Sequence, residues 1–135
     1  MSRRTAGLIL LFMLGLHAVP AASGETRAAR DFSSVDVLAA AGEHVVKGEL
    51  VRMLLFPAEF GGEHIGPNVV YVTPSAAAER KRLIGTLKRM VEEGLVDRLD
   101  VTPAYKGRSV IPSAITFKAW HSAKDGRFEQ TIQVW

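Results

Sequence analysis

The 135-residue chain carries 17 basic against 14 acidic residues and no cysteine. That length allows one domain with a modest core. The missing cysteine excludes disulfides, thiol nucleophiles and zinc–thiolate sites, and the small charge excess gives no support for nucleic-acid binding through net charge.

Residues 1–24 read as a secretory leader. Arg3 and Arg4 precede the apolar run 8–19 (LILLFMLGLHAV), and small residues follow at 20–24, the three parts of a signal peptide. The run is shorter than the ~20 residues that span a bilayer, and no cysteine follows it to carry a lipid. A cleaved leader implies a mature protein that is periplasmic or extracellular. Loss of Arg3 and Arg4 would leave fifteen basic against fourteen acidic residues, a net charge of +1.

Residues 25–31 form a polar, mobile lead-in to a single domain over 32–135. The stretch 32–42 (FSSVDVLAAAG) fits two readings: a short helix capped by Ser33 or Ser34 and ended by Gly42, or an irregular strand through Phe32, Val35 and Val37. Residues 44–56 (HVVKGELVRMLLF) read as a long strand with a bulge at Gly48. From Val51 both parities are apolar, so this strand is expected to be covered on both faces. A glycine- and proline-rich loop fills 57–68, and 69–72 (VVYV) is a short buried strand.

The stretch 73–94 predicts the main helix. Thr73 is its N-cap, Pro74 its first residue and Gly94 its C′ residue. Leu83, Ile84, Leu87, Met90 and Val91 recur at helical spacing, with Ala76 one turn earlier, and make an apolar stripe that needs a sheet to pack on. Arg80, Lys81 and Arg82 lie toward its N-terminal end and Glu92 and Glu93 at its C-terminal end, against the helix dipole. Residues 96–102 predict the next strand, with Leu99 and Val101 inward. Residues 103–109 predict a turn, and 110–121 with 128–135 a hairpin turning at Asp125-Gly126. That turn sets Ala119 opposite Ile132 and Phe117 opposite Val134, and puts Trp120 and Trp135 on the outer face beside Lys118.

The expected fold is α+β: one amphipathic helix on a mostly antiparallel sheet of about five strands, in the order β-β-α-β-β-β. Alternating strand direction then gathers loop 57–68, the helix C-terminus and the hairpin turn at one end. Loop 103–109 and the helix N-terminus gather at the other. The second end collects Arg80, Lys81, Arg82, Tyr105, Lys106 and Arg108, the ingredients of an anion site; as a bland alternative, these are an ordinary solvated basic surface. The first end holds Glu63, His64 and His121, residue types that bind divalent metals but at no recognised spacing. Ser109, Ser113 and His121 co-occur without the geometry of a catalytic triad. Trp120, Trp135 and Lys118 form a candidate aromatic patch for a partner, unless residues 32–42 fold over it.

No cofactor is implied. The reading favoured is an exported, non-enzymatic binding protein, its partner another protein or an anionic ligand of the envelope, with no nucleic acid, no lasting membrane span and homo-oligomers allowed. The alternative is a small envelope hydrolase or divalent-metal binder using the acidic, histidine-bearing end.

Overall fold

A computed structural model describes residues 30–135; the leader and residues 25–29 of the lead-in lie outside the described residues. The fold is α+β, with two helices and two antiparallel sheets. In chain order the elements are α1 (Leu38–Val46), β1 (Val51–Leu54), β2 (Val69–Val72), α2 (Pro74–Glu92), β3 (Arg98–Tyr105), β4 (Pro112–Trp120) and β5 (Arg127–Gln133). β1 pairs with β2, and a separate three-stranded sheet runs β3-β4-β5. The single five-stranded sheet expected from the sequence is therefore split. Among the described residues no helix is long and apolar enough to cross a membrane.

α2 forms where the pattern places it. Thr73 Oγ1 accepts from the Ala76 N–H at 3.3 Å, and Pro74 occupies the first turn. At the other end Gly94 takes φ +68°; its N–H reaches Val91 O at 3.0 Å and the Leu95 N–H reaches Met90 O at 2.8 Å. These paired bonds close the helix with a left-handed residue that only glycine adopts without strain. Ala76, Leu83, Ile84 and Leu87 are buried, whereas Val91 is 48% exposed. The apolar stripe thus outruns the sheet beneath it by one turn.

The segment ahead of α2 departs from expectation. α1 runs through Gly42, takes in His44, Val45 and Val46, and stops where Gly48 turns to φ +72°. A mid-helix glycine costs about 1 kcal/mol, but the same turn buries Ala41 completely, and packing prevails. Gly48 is therefore a helix terminator, not a bulge. Glu49 then secures the corner, since the His44 ring nitrogen and Arg30 both reach its carboxylate and hold it below the usual carboxylate range. β1 is short: Val51 and Arg52 are exposed, Met53 is half-buried and Leu54 is buried. Met53 and Leu55, on the opposite parity, are only partly buried against the core, so the two-sided cover expected there is incomplete.

β4 carries the core. Its residues alternate buried and half-buried along its length, with Ile115, Phe117 and Ala119 facing in. Phe32 and Val35 dock at its start, where Ser109 Oγ donates to Phe32 O at 2.8 Å and the Val110 N–H to Val35 O at 2.8 Å. Residues 32–42 therefore lie against the N-terminal end of β4 and do not cover Trp120. β3 extends beyond its expected end to Tyr105 and accommodates Pro103, which an edge strand tolerates.

The final hairpin keeps the expected faces but not the expected register. Ile115 stands opposite Ile132, Thr116 opposite Thr131 and Trp120 opposite Arg127. Residues 121–126 make a longer loop instead of a two-residue turn. Three anchors hold that loop open: Ser122 bonds Asp97 through both N and Oγ, at 2.7 and 2.6 Å, and Lys124 Nζ donates to Gly94 O at 2.7 Å.

Leu87 is 1% exposed, so Leu87→Ala is expected to destabilise the fold by about 2–5 kcal/mol. Val91→Ala, one turn on, should change it by under about 0.5 kcal/mol. Urea unfolding of both variants checks the pair, and equal effects would contradict the boundary between core and surface drawn here.

Candidate binding groove

Three segments distant in sequence meet where α2 ends. The β1–β2 connection supplies Phe56 and Phe60, α2 supplies Leu87 and Val91, and the start of β3 supplies Val96 and Leu99. They line an apolar groove of about 480 Å³, with Asp97, Arg98 and His121 at its rim. That volume lies within the range of small-ligand clefts, about 300–1,000 Å³.

The loop forming one wall is locked locally. Asn68 Oδ1 accepts from the Phe56 N–H at 2.7 Å, and its Nδ2 donates to Phe56 O at 3.1 Å and to Glu63 O at 3.0 Å. A Cβ at Gly62 would lie 2.0 Å from Phe56 O, so the turn admits only glycine. Arg80 braces the same wall through Nη2, which donates to Leu54 O at 2.7 Å. Its Nε is buried and makes no hydrogen bond among the described residues.

At the rim, Asp97 lies below the ordinary carboxylate range, first because the Ser122 hydroxyl donates to it and then because the Ser122 N–H does; Arg98 and His121 add smaller contributions. His121 Nδ1 accepts from the Ala123 N–H at 3.0 Å, which leaves Nε2 facing Asp97 Oδ2 at 3.9 Å. The carboxylate thus stands between the hydroxyl and the imidazole. In a nucleophilic triad the imidazole must stand between the other two, so it can take the hydroxyl proton. Here the Ser122 hydroxyl donates its hydrogen bond to Asp97, and the cluster clamps the β4–β5 loop onto the α2–β3 corner. Asp97 is the residue that sequence reading missed, since its partner lies 25 positions away.

The sequence-derived candidates disperse. Arg80 is a structural brace, while Lys81 and Arg82 are exposed on α2. Lys106 lies at the opposite end of the molecule, with Nζ 4.8 Å above the Trp135 ring and 3.0 Å from Trp135 O. Arg108 is exposed, and Tyr105 is 49% exposed with its phenol pKa raised by partial burial. Trp135 turns inward: Nε1 donates to Ile111 O at 3.1 Å and the ring meets Phe32 edge-on at 6.3 Å. It therefore sits at one end of β4 and Trp120 at the other, roughly 30 Å apart along the strand. The two tryptophans make no single patch. Trp120 keeps company with Arg127, whose guanidinium carbon is 5.7 Å from its ring, and with Arg98 on the facing strand. Lys118 lies one row away, 4.0 Å from Glu129. Glu63 and His64 are exposed in the β1–β2 connection. Among the described residues no group of three or more His, Asp or Glu side chains is placed to hold a metal. Ser109 and Ser113 are buried and spend their hydroxyls on Phe32 O and Ala104 O.

No protein-family model, curated protein or solved structure matches the chain.

The Asp97 clamp has a pH signature. Its folded pKa lies below the unfolded value of about 3.9, so its contribution is complete above that value and is lost as pH falls through the folded one. Asp97→Asn should be less stable than the parent at neutral pH, and the gap should close as the acid limb is crossed. Urea midpoints measured down the pH scale check this, and a constant gap would refute the clamp.

Proposed function

We propose that the chain is an exported, non-enzymatic binding protein that takes apolar side chains of a partner polypeptide into the groove at the C-terminal end of α2. The observation that carries this reading is the overhang of α2. Val91 sits on the apolar stripe yet is 48% exposed, directly over a groove lined by Phe56, Phe60 and Leu99. Exposed apolar surface gathered in a concavity is what a partner desolvates on binding. Export is supported by Arg3, Arg4 and the apolar run 8–19, and by a cysteine-free chain that needs no reducing compartment.

Selection of short random peptides displayed against the purified protein tests the groove. Apolar peptides should be enriched and should bind Val91→Asp at least about tenfold more weakly, a loss of roughly 1.4 kcal/mol. Trp120→Ala, on the outer sheet face, should bind them as the parent does. Peptides that bind Val91→Asp unchanged would sink the reading. Export carries its own check: intact mass of protein recovered outside the cytoplasm should lack residues 1–24, and a chain retaining residues 8–19 would count against a cleaved leader.

A further inference from the structure

The outer edge of β3 is bare. Val134 N donates to Ser113 O at 2.8 Å, so the odd-numbered residues of β4 turn their backbone groups toward β5 and the even-numbered ones toward β3. Their partners on β3 are Arg98, Asp100, Thr102 and Ala104. Leu99, Val101 and Pro103 therefore turn their backbone groups outward, and the N–H that Pro103 lacks is missing only from this edge. Among the described residues no backbone group of β3 bonds to any segment other than β4.

We propose that this edge is occupied by the β3 strand of a second copy of the chain, antiparallel about a two-fold axis perpendicular to the sheet. Such an axis preserves the two faces, so each residue must oppose one of its own parity, and the contact must centre on a single residue. Centring on Asp100 sets two carboxylates side by side. Centring on Val101 places Pro103 opposite Leu99, where the ladder lacks a donor. Centring on Leu99 sets Arg98 of each copy opposite Asp100 of the other. The Asp97 N–H, already given to Trp120 O at 2.9 Å, leaves the facing Asp97 and Val101 one donor short as well, so charge and not the ladder distinguishes this register. The Arg98–Asp100 pairs are non-hydrogen-bonded ones, in which side chains approach most closely. Charge thus selects one register out of three.

The register also continues the pattern of the outer face. Arg127, Trp120 and Arg98 form one row across the sheet, and Asp100, Lys118 and Glu129 the next. In the dimer the first row of one copy runs into the second row of the other. On the inner face Leu99 meets Leu99, and the two grooves adjoin across the axis. The proposal does not rest on what the grooves bind.

The test is charge exchange, read by light-scattering mass across a concentration series. The parent should show a concentration-dependent dimer. Arg98→Asp and Asp100→Arg should each raise the dissociation constant by roughly tenfold or more, because each sets like charges together twice. An equimolar mixture of the two variants should recover the dimer, since every facing pair is then opposite in sign. The double variant carrying both changes should also dimerise, and it decides the matter if either single variant fails to fold. A parent that stays monomeric at every concentration, single variants that dimerise like the parent, or a mixture or double variant that does not recover would each overturn the proposal.

Discussion

The inward face of β4 is the constraint on which the rest of the molecule depends. Ile115, Phe117 and Ala119 are each 1% exposed or less. The N-terminal segment, the β1–β2 ribbon and α2 all reach the core this face begins. The cysteine-free chain has no disulfide to supplement that burial. Stability therefore rests on apolar area and close packing, at about 25 cal/mol for each Å² removed from water. α1 illustrates the hierarchy. Its N-cap Val37 makes no side-chain capping bond and a glycine sits mid-helix, yet it forms because Ala41 and the adjoining Phe32 and Val35 fit the end of β4.

The fold was legible in the sequence wherever a local rule acted alone. The caps of α2 need only Thr73, Pro74 and Gly94, and the inward parity of β3, β4 and β5 needs only alternation; both are as expected. What could not be read depended on tertiary contact. Residues 44–46 are β-branched or aromatic enough to suggest a strand, yet they continue α1, where Phe32 stacks edge-on against His44 at 5.4 Å. The Asp125-Gly126 turn is a sound local signal, overruled by the pull of Asp97 and Gly94 on Ser122 and Lys124. The register slipped by an even step, which is why every side chain stayed on its expected face.

The candidate site was less legible for a related reason. Its walls come from the β1–β2 connection, α2 and β3, and each contributes one or two ordinary apolar residues. No spacing rule marks such a set. The grouping of chain ends did point in the right direction, since the β1–β2 connection, the end of α2 and the β4–β5 loop do converge. Two of the cations expected at the opposite end are not free groups. Arg80 spends its guanidinium on a carbonyl and Lys106 turns onto Trp135. A cationic side chain in sequence is a reach of several ångströms around its backbone, and the nearest unpaired carbonyl or ring decides where it goes.

The groove and the bare edge of β3 have one cause. The N-terminal end of α2 is held over β5, where Thr73 Oγ1 lies 3.5 Å from Val134 O and Glu79 lies 3.5 Å from Gln130. From that anchor the helix crosses the inner face and ends near Val96, with Leu87 its last fully buried residue. α2 packs chiefly against β5 and β1 and more lightly against the rest of the three-stranded sheet. The inner side chains of β3, Leu99, Val101 and Pro103, are accordingly only half-buried, although they have the same alternation as the buried residues of β4. One more turn of apolar helix, or a sixth strand, would have closed the layer. The chain instead turns at Gly94 and enters β3 directly, which leaves this strand, among the described residues, with a half-covered face and an unpaired edge. Exposure of that kind is normally suppressed in natural sheet proteins by charge or proline. β3 has both, as Arg98, Asp100 and Pro103, and of the alignments of a second β3 strand centred on Leu99, Asp100 or Val101 only the first sets opposite charges face to face.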